Sequence, residues 1–238
     1  TDDPPPTPPG PKVVYAAGYE LVGTKRVARL WKDGVPTDIT NGTNNAILYS
    51  VFVAGNDVYV SGDELIGTKY VAKVWKNRVA TSLTDGSKDG SAYAVYVDGA
   101  DMYVAGYESN GTKDVAKLWK NGVASNLSDG TKNTYSTDLF VAGGIAYVSG
   151  SENNGTNTVA VYWKDGVKTT LTDGTKDASA TAIYVVGPDI YVAGYEIGTN
   201  GFSVAKIWKN GTATSVTDGT NQALLTAVYV AGTDVYVA

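Results

Sequence analysis

Glutamates stand at Glu20, Glu64, Glu108, Glu152 and Glu196, 44 residues apart each time. A second acid recurs in the loops between copies, at Asp85, Asp129, Asp173 and Asp218, with Asn41 in the first copy. Tyr19, Tyr107 and Tyr195 directly precede three of the glutamates, and Asp63 and Ser151 take that place in the other two. Two chemistries use such residues. An aromatic plane with a carboxylate and an amide holds a sugar by apolar stacking and directional hydrogen bonds. A pair of carboxylates can hydrolyse a glycosidic bond, but only when their environments differ. Near-identical copies give near-identical environments, so a catalytic site should appear as a break in the repeat. Asp138 is the clearest break, standing where other copies have Ser50, Ala94, Ala182 and Ala227, and it has no evident acid/base partner.

Other chemistries are excluded by composition. The 238 residues contain no Cys and no His. Disulfides, thiolate metal sites, Ser-His-Asp triads and imidazole bases are therefore absent. A metal would need oxygen ligands, and the two-carboxylate loops at 85–89 and 173–177 lack EF-hand spacing, so neither metal nor cofactor is expected. The net charge is -5 with no basic stripe, which argues against nucleic acid. No apolar run reaches the roughly 20 residues that span a bilayer.

The elements that must position these acids follow from the repeat. All five tryptophans hold one place, Trp31, Trp75, Trp119, Trp163 and Trp208, each followed by Lys. Within one unit, 46–54 reads as an apolar strand a, Gly55-Asn56 as a tight turn and 57–62 as strand b. A loop over 64–68, strand c over 70–76, a turn at Asn77-Arg78 and strand d over 79–84 complete it. Four antiparallel strands in about 44 residues, apolar on both faces, predict an all-β fold, a five-bladed β-propeller with sheets sandwiched between neighbours. Strand b occurs six times and the others five, so 223–231 is expected to supply strand a to the N-terminal sheet, giving one domain over 13–238. A longer ring containing this chain is the alternative.

The fullest form of the repeat runs from Ala105 to Gly122, AGYESNGTKDVAKLWKNG, followed by Leu127 to Thr131. It resembles the repeat of uncharacterised bacterial surface or periplasmic propeller proteins, over residues 13–238. The architecture is similar to the five-bladed tachylectin-2 lectin type, without a match to its sugar-site residues. Residues 1–12 hold six of eight prolines and read as an extended tether. Thr1-Asp2-Asp3 before the prolines resembles the start of a mature lipoprotein. That resemblance implies an extracytoplasmic location and a lipid anchor upstream of residue 1.

The b–c and d–a loops of a propeller emerge on one face, which brings the Glu and Asp series together. Lectin-like, non-enzymatic recognition of a multivalent ligand, with carbohydrate as the leading class, is the functional expectation for Tyr19, Glu20, Glu64, Asp85, Tyr107, Glu108, Asp129, Glu152, Asp173, Tyr195, Glu196 and Asp218. A protein-interaction or scaffold propeller is the alternative, and a glycoside-active enzyme is further behind. The plain structural reading has Glu64 pairing with Lys69 across a hairpin, Asp-Gly serving the turns, and the tryptophans filling wedges between blades.

Overall fold

The computed structural model describes residues 12–238. The tether expected over 1–12 lies, apart from Lys12, outside the described residues. Those residues form an all-β propeller architecture without helix. The first sheet has three strands, β1 (Tyr15–Val22), β2 (Lys25–Lys32) and β3 (Val35–Asp38). Four complete sheets follow. They are β4 (Ala46–Ala54), β5 (Asp57–Ile66), β6 (Lys69–Lys76) and β7 (Val79–Ser82); then β8 (Gly90–Asp98), β9 (Asp101–Ser109), β10 (Asp114–Lys120) and β11 (Val123–Asn126). Next come β12 (Thr134–Ala142), β13 (Ile145–Asn153), β14 (Thr158–Lys164) and β15 (Val167–Thr170), and then β16 (Ala178–Val186), β17 (Asp189–Ile197), β18 (Ser203–Lys209) and β19 (Thr212–Ser215). A two-stranded sheet, β20 (Val228–Ala231) with β21 (Asp234–Val237), ends the chain.

Strand b is longer than expected and strand d shorter. β5 runs through Glu64 to Ile66, so the expected loop shrinks to a turn at Gly67-Thr68. β7 stops at Ser82 because the next residues bond differently. Leu83 N–H donates to the Ala72 carbonyl, and the Thr84 hydroxyl accepts from Ala72 N–H. Thr40, Ser128, Thr172 and Thr217 make the same side-chain contact in the other copies. A hydroxyl there replaces a ladder bond and satisfies a backbone donor that burial would otherwise strand.

The c–d turns place two successive residues at positive φ, as in Asp33-Gly34 and Asn121-Gly122, the type I′ pattern that matches strand twist. Arg78 occupies the second place in its copy at φ 72°, where an L side chain is strained.

Each of the four later tryptophans packs against the preceding sheet. Trp75 lies with Ala28 and Leu30, and Trp119 with Tyr59, Ala72 and Val74. Trp163 joins Tyr103 and Ala105, and Trp208 joins Tyr147 and Ala160. These four are at most 2% exposed. Trp31 belongs to the first sheet, has no sheet before it among the described residues, and is only half-buried. The wedge-filling expectation therefore holds for the four inner copies.

One expected pairing differs. β20 bonds with β21, from Val228↔Val237 to Ala231↔Asp234, and β1 is an edge strand whose ladder partner is β2. The N-terminal sheet does not receive its strand a from 223–231. β21 competes for the same edge and sits one two-residue turn from β20, which favours the local hairpin.

Candidate functional site

The inner strands define the centre of the molecule. β4, β8, β12, β16 and the segment 226–228 together line one cavity of about 340 Å³. In each complete sheet strand a bulges at one residue, between Leu48 and Ser50, Ala92 and Ala94, Ser136 and Asp138, and Ala180 and Ala182. The bulged residues are Tyr49, Tyr93, Thr137 and Thr181, and all four line the cavity. A bulge re-aims a side chain that regular alternation would send elsewhere. The glycine opposite each bulge makes room for it. A Cβ on Gly62, Gly106, Gly150 or Gly194 would stand 2.0–2.1 Å from a carbonyl oxygen of strand a.

The repeated acids meet on one face, around the b–c and d–a loops. Glu108 and Asp129 border one groove of about 180 Å³, and Glu196 and Asp218 border another of about 370 Å³. Asn110, Asn154 and Asn200 tie the two loops together by donating to the carbonyls of Gly130, Gly174 and Gly219. The glutamates are ion-paired. Glu64 meets Lys73 at 2.5 Å, Glu108 meets Lys117 at 3.0 Å and Glu152 meets Lys168 at 2.7 Å, while Glu20 pairs with Arg29 and Glu196 with Lys206. The expected partner Lys69 binds Asp89 instead. Because β5 continues past Glu64, that glutamate shares a sheet face with Lys73.

Asp129, Asp173 and Asp218 close their own turns. Each accepts the N–H and the hydroxyl of a threonine two residues on, and these bonds hold the carboxyls below the usual range. Asp85 does the same with Ser87. In the two-carboxylate loop at 85–89, Asp89 accepts Tyr70 N–H and pairs with Lys69. Among the described residues no three acids gather as metal ligands.

The tyrosines do not join the glutamates that follow them. Neighbours in a strand point to opposite faces. Tyr107 belongs to an aromatic chain, Tyr49–Tyr93–Tyr107–Tyr135, with centroid spacings of 5.0, 5.9 and 5.3 Å. Tyr19 is exposed beneath Arg26, 5.2 Å from its ring, and Tyr195 is half-buried. The proposed pairing of Tyr and Glu in one sugar platform is thus replaced by two separate arrangements.

Sequence reasoning missed Tyr49, Tyr93, Tyr135, Ser91 and the role of Asp63. Asp63 is 2% exposed; its Oδ2 accepts from Tyr49 Oη at 3.1 Å and Ser91 Oγ at 2.6 Å, and its Oδ1 has no partner. Burial raises the Asp63 carboxyl and is also the main cause that raises Tyr49 and Tyr93. Tyr135 Oη donates to Asp114 at 2.5 Å. The signal that could have found them is departure from the repeat: Asp63 stands where three copies have Tyr. Asp138 lines the cavity. Its Oδ2 accepts Ile183 N–H at 2.9 Å, and burial pushes its carboxyl up to about 6.

No family model matches the chain, and no curated protein matches it. Among solved structures it is similar to a candidate TolB from Agrobacterium tumefaciens, at 10% identity and a TM-score of 0.56, over 87% of this chain and 84% of that one. At that identity the likeness is one of fold.

Proposed function

We propose that this chain is a non-enzymatic binding module that recognises a multivalent, hydroxyl-rich ligand, a glycan, on the face carrying the b–c and d–a loops. The observation that carries the reading is the recurrence of one polar groove: Glu108 with Asp129, and Glu196 with Asp218, each beside a lysine. Repeated grooves suit a repeated ligand, since linked weak sites add avidity. Charged pairs and amides in an open groove offer both donors and acceptors to sugar hydroxyls. Non-enzymatic action is part of the proposal, because every glutamate of the series is ion-paired and the loop acids close their own turns. Five blades are also part of it, supported by five inner segments around one cavity. The extracytoplasmic location rests on the resemblance of repeat and head to bacterial surface propellers.

A glycan array with the soluble chain, run beside a folded Glu64→Gln/Glu108→Gln variant, tests the reading. Binding by the parent that weakens in the variant is the expected result; no binding to any glycan would sink it.

One observation favours a second reading, a protein-interaction propeller. Val35, Val79, Val123 and Val167 open the outermost strands at equivalent positions and are 65–74% exposed. An apolar residue repeated around a rim suits a protein partner.

A further inference from the structure

We infer a second, single-copy binding site in the central cavity, which takes a compact hydroxylated ligand bearing a protonated amine. The lining shows what is complementary to it. Asp138 is the one acid among the residues that line the cavity, and no lysine or arginine lines it. Among the described residues no salt bridge reaches Asp138, whereas each glutamate of the repeated series has a basic partner. A carboxylate drawn out of bulk water without a counter-charge is complemented by a cation.

The surrounding hydroxyls have mostly committed their protons. Thr137 donates to the Ala180 carbonyl, Thr181 to the Leu225 carbonyl with that of Ala193 also in reach, and Thr226 to the Ala238 carbonyl. Tyr49 donates to Asp63. A hydroxyl that has spent its one proton keeps lone pairs to accept with. The cavity is therefore rich in acceptors, and a ligand that supplies N–H and O–H donors suits it better than an anion or an apolar molecule.

The aromatic rings of Tyr49 and Tyr93, centroids 5.0 Å apart, line the same cavity. Their π systems favour a cation over a neutral group of the same shape. The cavity, about 340 Å³, falls at the lower end of the roughly 300–1,000 Å³ usual for small-ligand pockets. The bulges aim one residue from each complete sheet at this point, and the sequence here departs from the repeat. Four inner copies offer Ser50, Ala94, Ala182 and Ala227 where β12 offers Asp138. A site made by that departure exists once per chain. It shares no residue with the Glu–Asp grooves, so failure of either proposal leaves the other standing.

Titration calorimetry of the full chain with D-glucosamine, D-glucose and N-acetyl-D-glucosamine separates charge from shape. Glucosamine should bind with a stoichiometry near one, at least about tenfold more tightly than either neutral sugar. Asp138→Asn retains an amide oxygen for Ile183 N–H and should weaken glucosamine binding by about tenfold while the fold persists. Tyr93→Leu should weaken it by a smaller factor, and Arg78→Gly, in a turn that does not line the cavity, should leave it unchanged. Equal affinity for the three sugars, no saturable glucosamine binding, or an unchanged Asp138→Asn variant would overturn the proposal. If the Asn variant does not fold, the comparison of charged and neutral sugars on the parent decides alone.

Discussion

Across the central cavity one wall is built from tyrosine and the other from threonine. Tyr49 and Tyr93 on β4 and β8 hold the same bulged position as Thr137 and Thr181 on β12 and β16. The backbone is alike on both sides, but the side chains join neighbouring sheets differently. On the threonine side the hydroxyls lace one inner strand to the next, Thr137 to Ala180 and Thr181 to Leu225. On the tyrosine side ring contacts bridge the sheets, and the Tyr49 hydroxyl turns to the buried Asp63. Equal geometry with unequal chemistry separates what the scaffold requires from what a single copy has acquired. The scaffold requires the bulge and its facing glycine; the residue at the bulge is free to vary.

The largest expected effect lies on the tyrosine wall. Tyr93→Ala removes a ring that touches both Tyr49 and Tyr107, and should cost about 3 kcal/mol in urea unfolding. A loss below about 1 kcal/mol would show that the rings contribute no packing to the wall.

Asp138 sharpens the comparison by pH. Its folded-state value of about 6 lies above the ordinary carboxyl value of 3.8, so the folded protein holds the proton more tightly. The resulting stabilisation is present below about pH 4 and is lost as pH rises through about 6. Asp138→Asn should therefore leave stability unchanged near pH 4 and raise it at pH 8, by about 3 kcal/mol. Thermal melts across this range give the check; a difference between parent and variant that does not vary with pH would contradict it.

On the threonine wall, Thr181→Val deletes the hydroxyl that donates to Leu225, with Ala193 also in reach, while keeping the shape. The expected cost is about 1–2 kcal/mol, read in the same urea experiment. The smallest effect serves as a control on a distant turn. Arg78→Gly relieves a side chain held at φ 72° and should stabilise by about 1 kcal/mol, visible as a raised Tm.

The scaffold was largely legible because its causes are local and repeated. The tryptophans, the Gly-containing turns and the apolar strands recur at one spacing, and the strands they imply are present, the last strand a only over Val228–Ala231. The meeting of the Glu and Asp series was legible for the same reason. The bulges were not, since a Tyr or Thr within an apolar run such as AILYSVFVA looks the same whether or not the register slips there. Without the bulge, the tyrosine wall could not be assembled from sequence. The partner of Glu64 was missed for a smaller reason. A strand end misplaced by a few residues hides which lysine shares its face. Pairing of β20 depends on which of two near-equivalent strands reaches it, and pattern alone does not rank them.

That last pairing bears on how the chain reaches its fold. β1 and β21 carry versions of one strand, Val-Tyr-Ala-Ala and Val-Tyr-Val-Ala, and one edge of β20 suits either. The hairpin with β21 needs one turn, whereas β1 must return across nearly the whole chain, a slow closure of high contact order. The adjacent strand therefore captures the edge first, and any exchange for the distant copy must wait for that hairpin to open. Refolding rate, rather than stability alone, is where this competition between like strands leaves its mark.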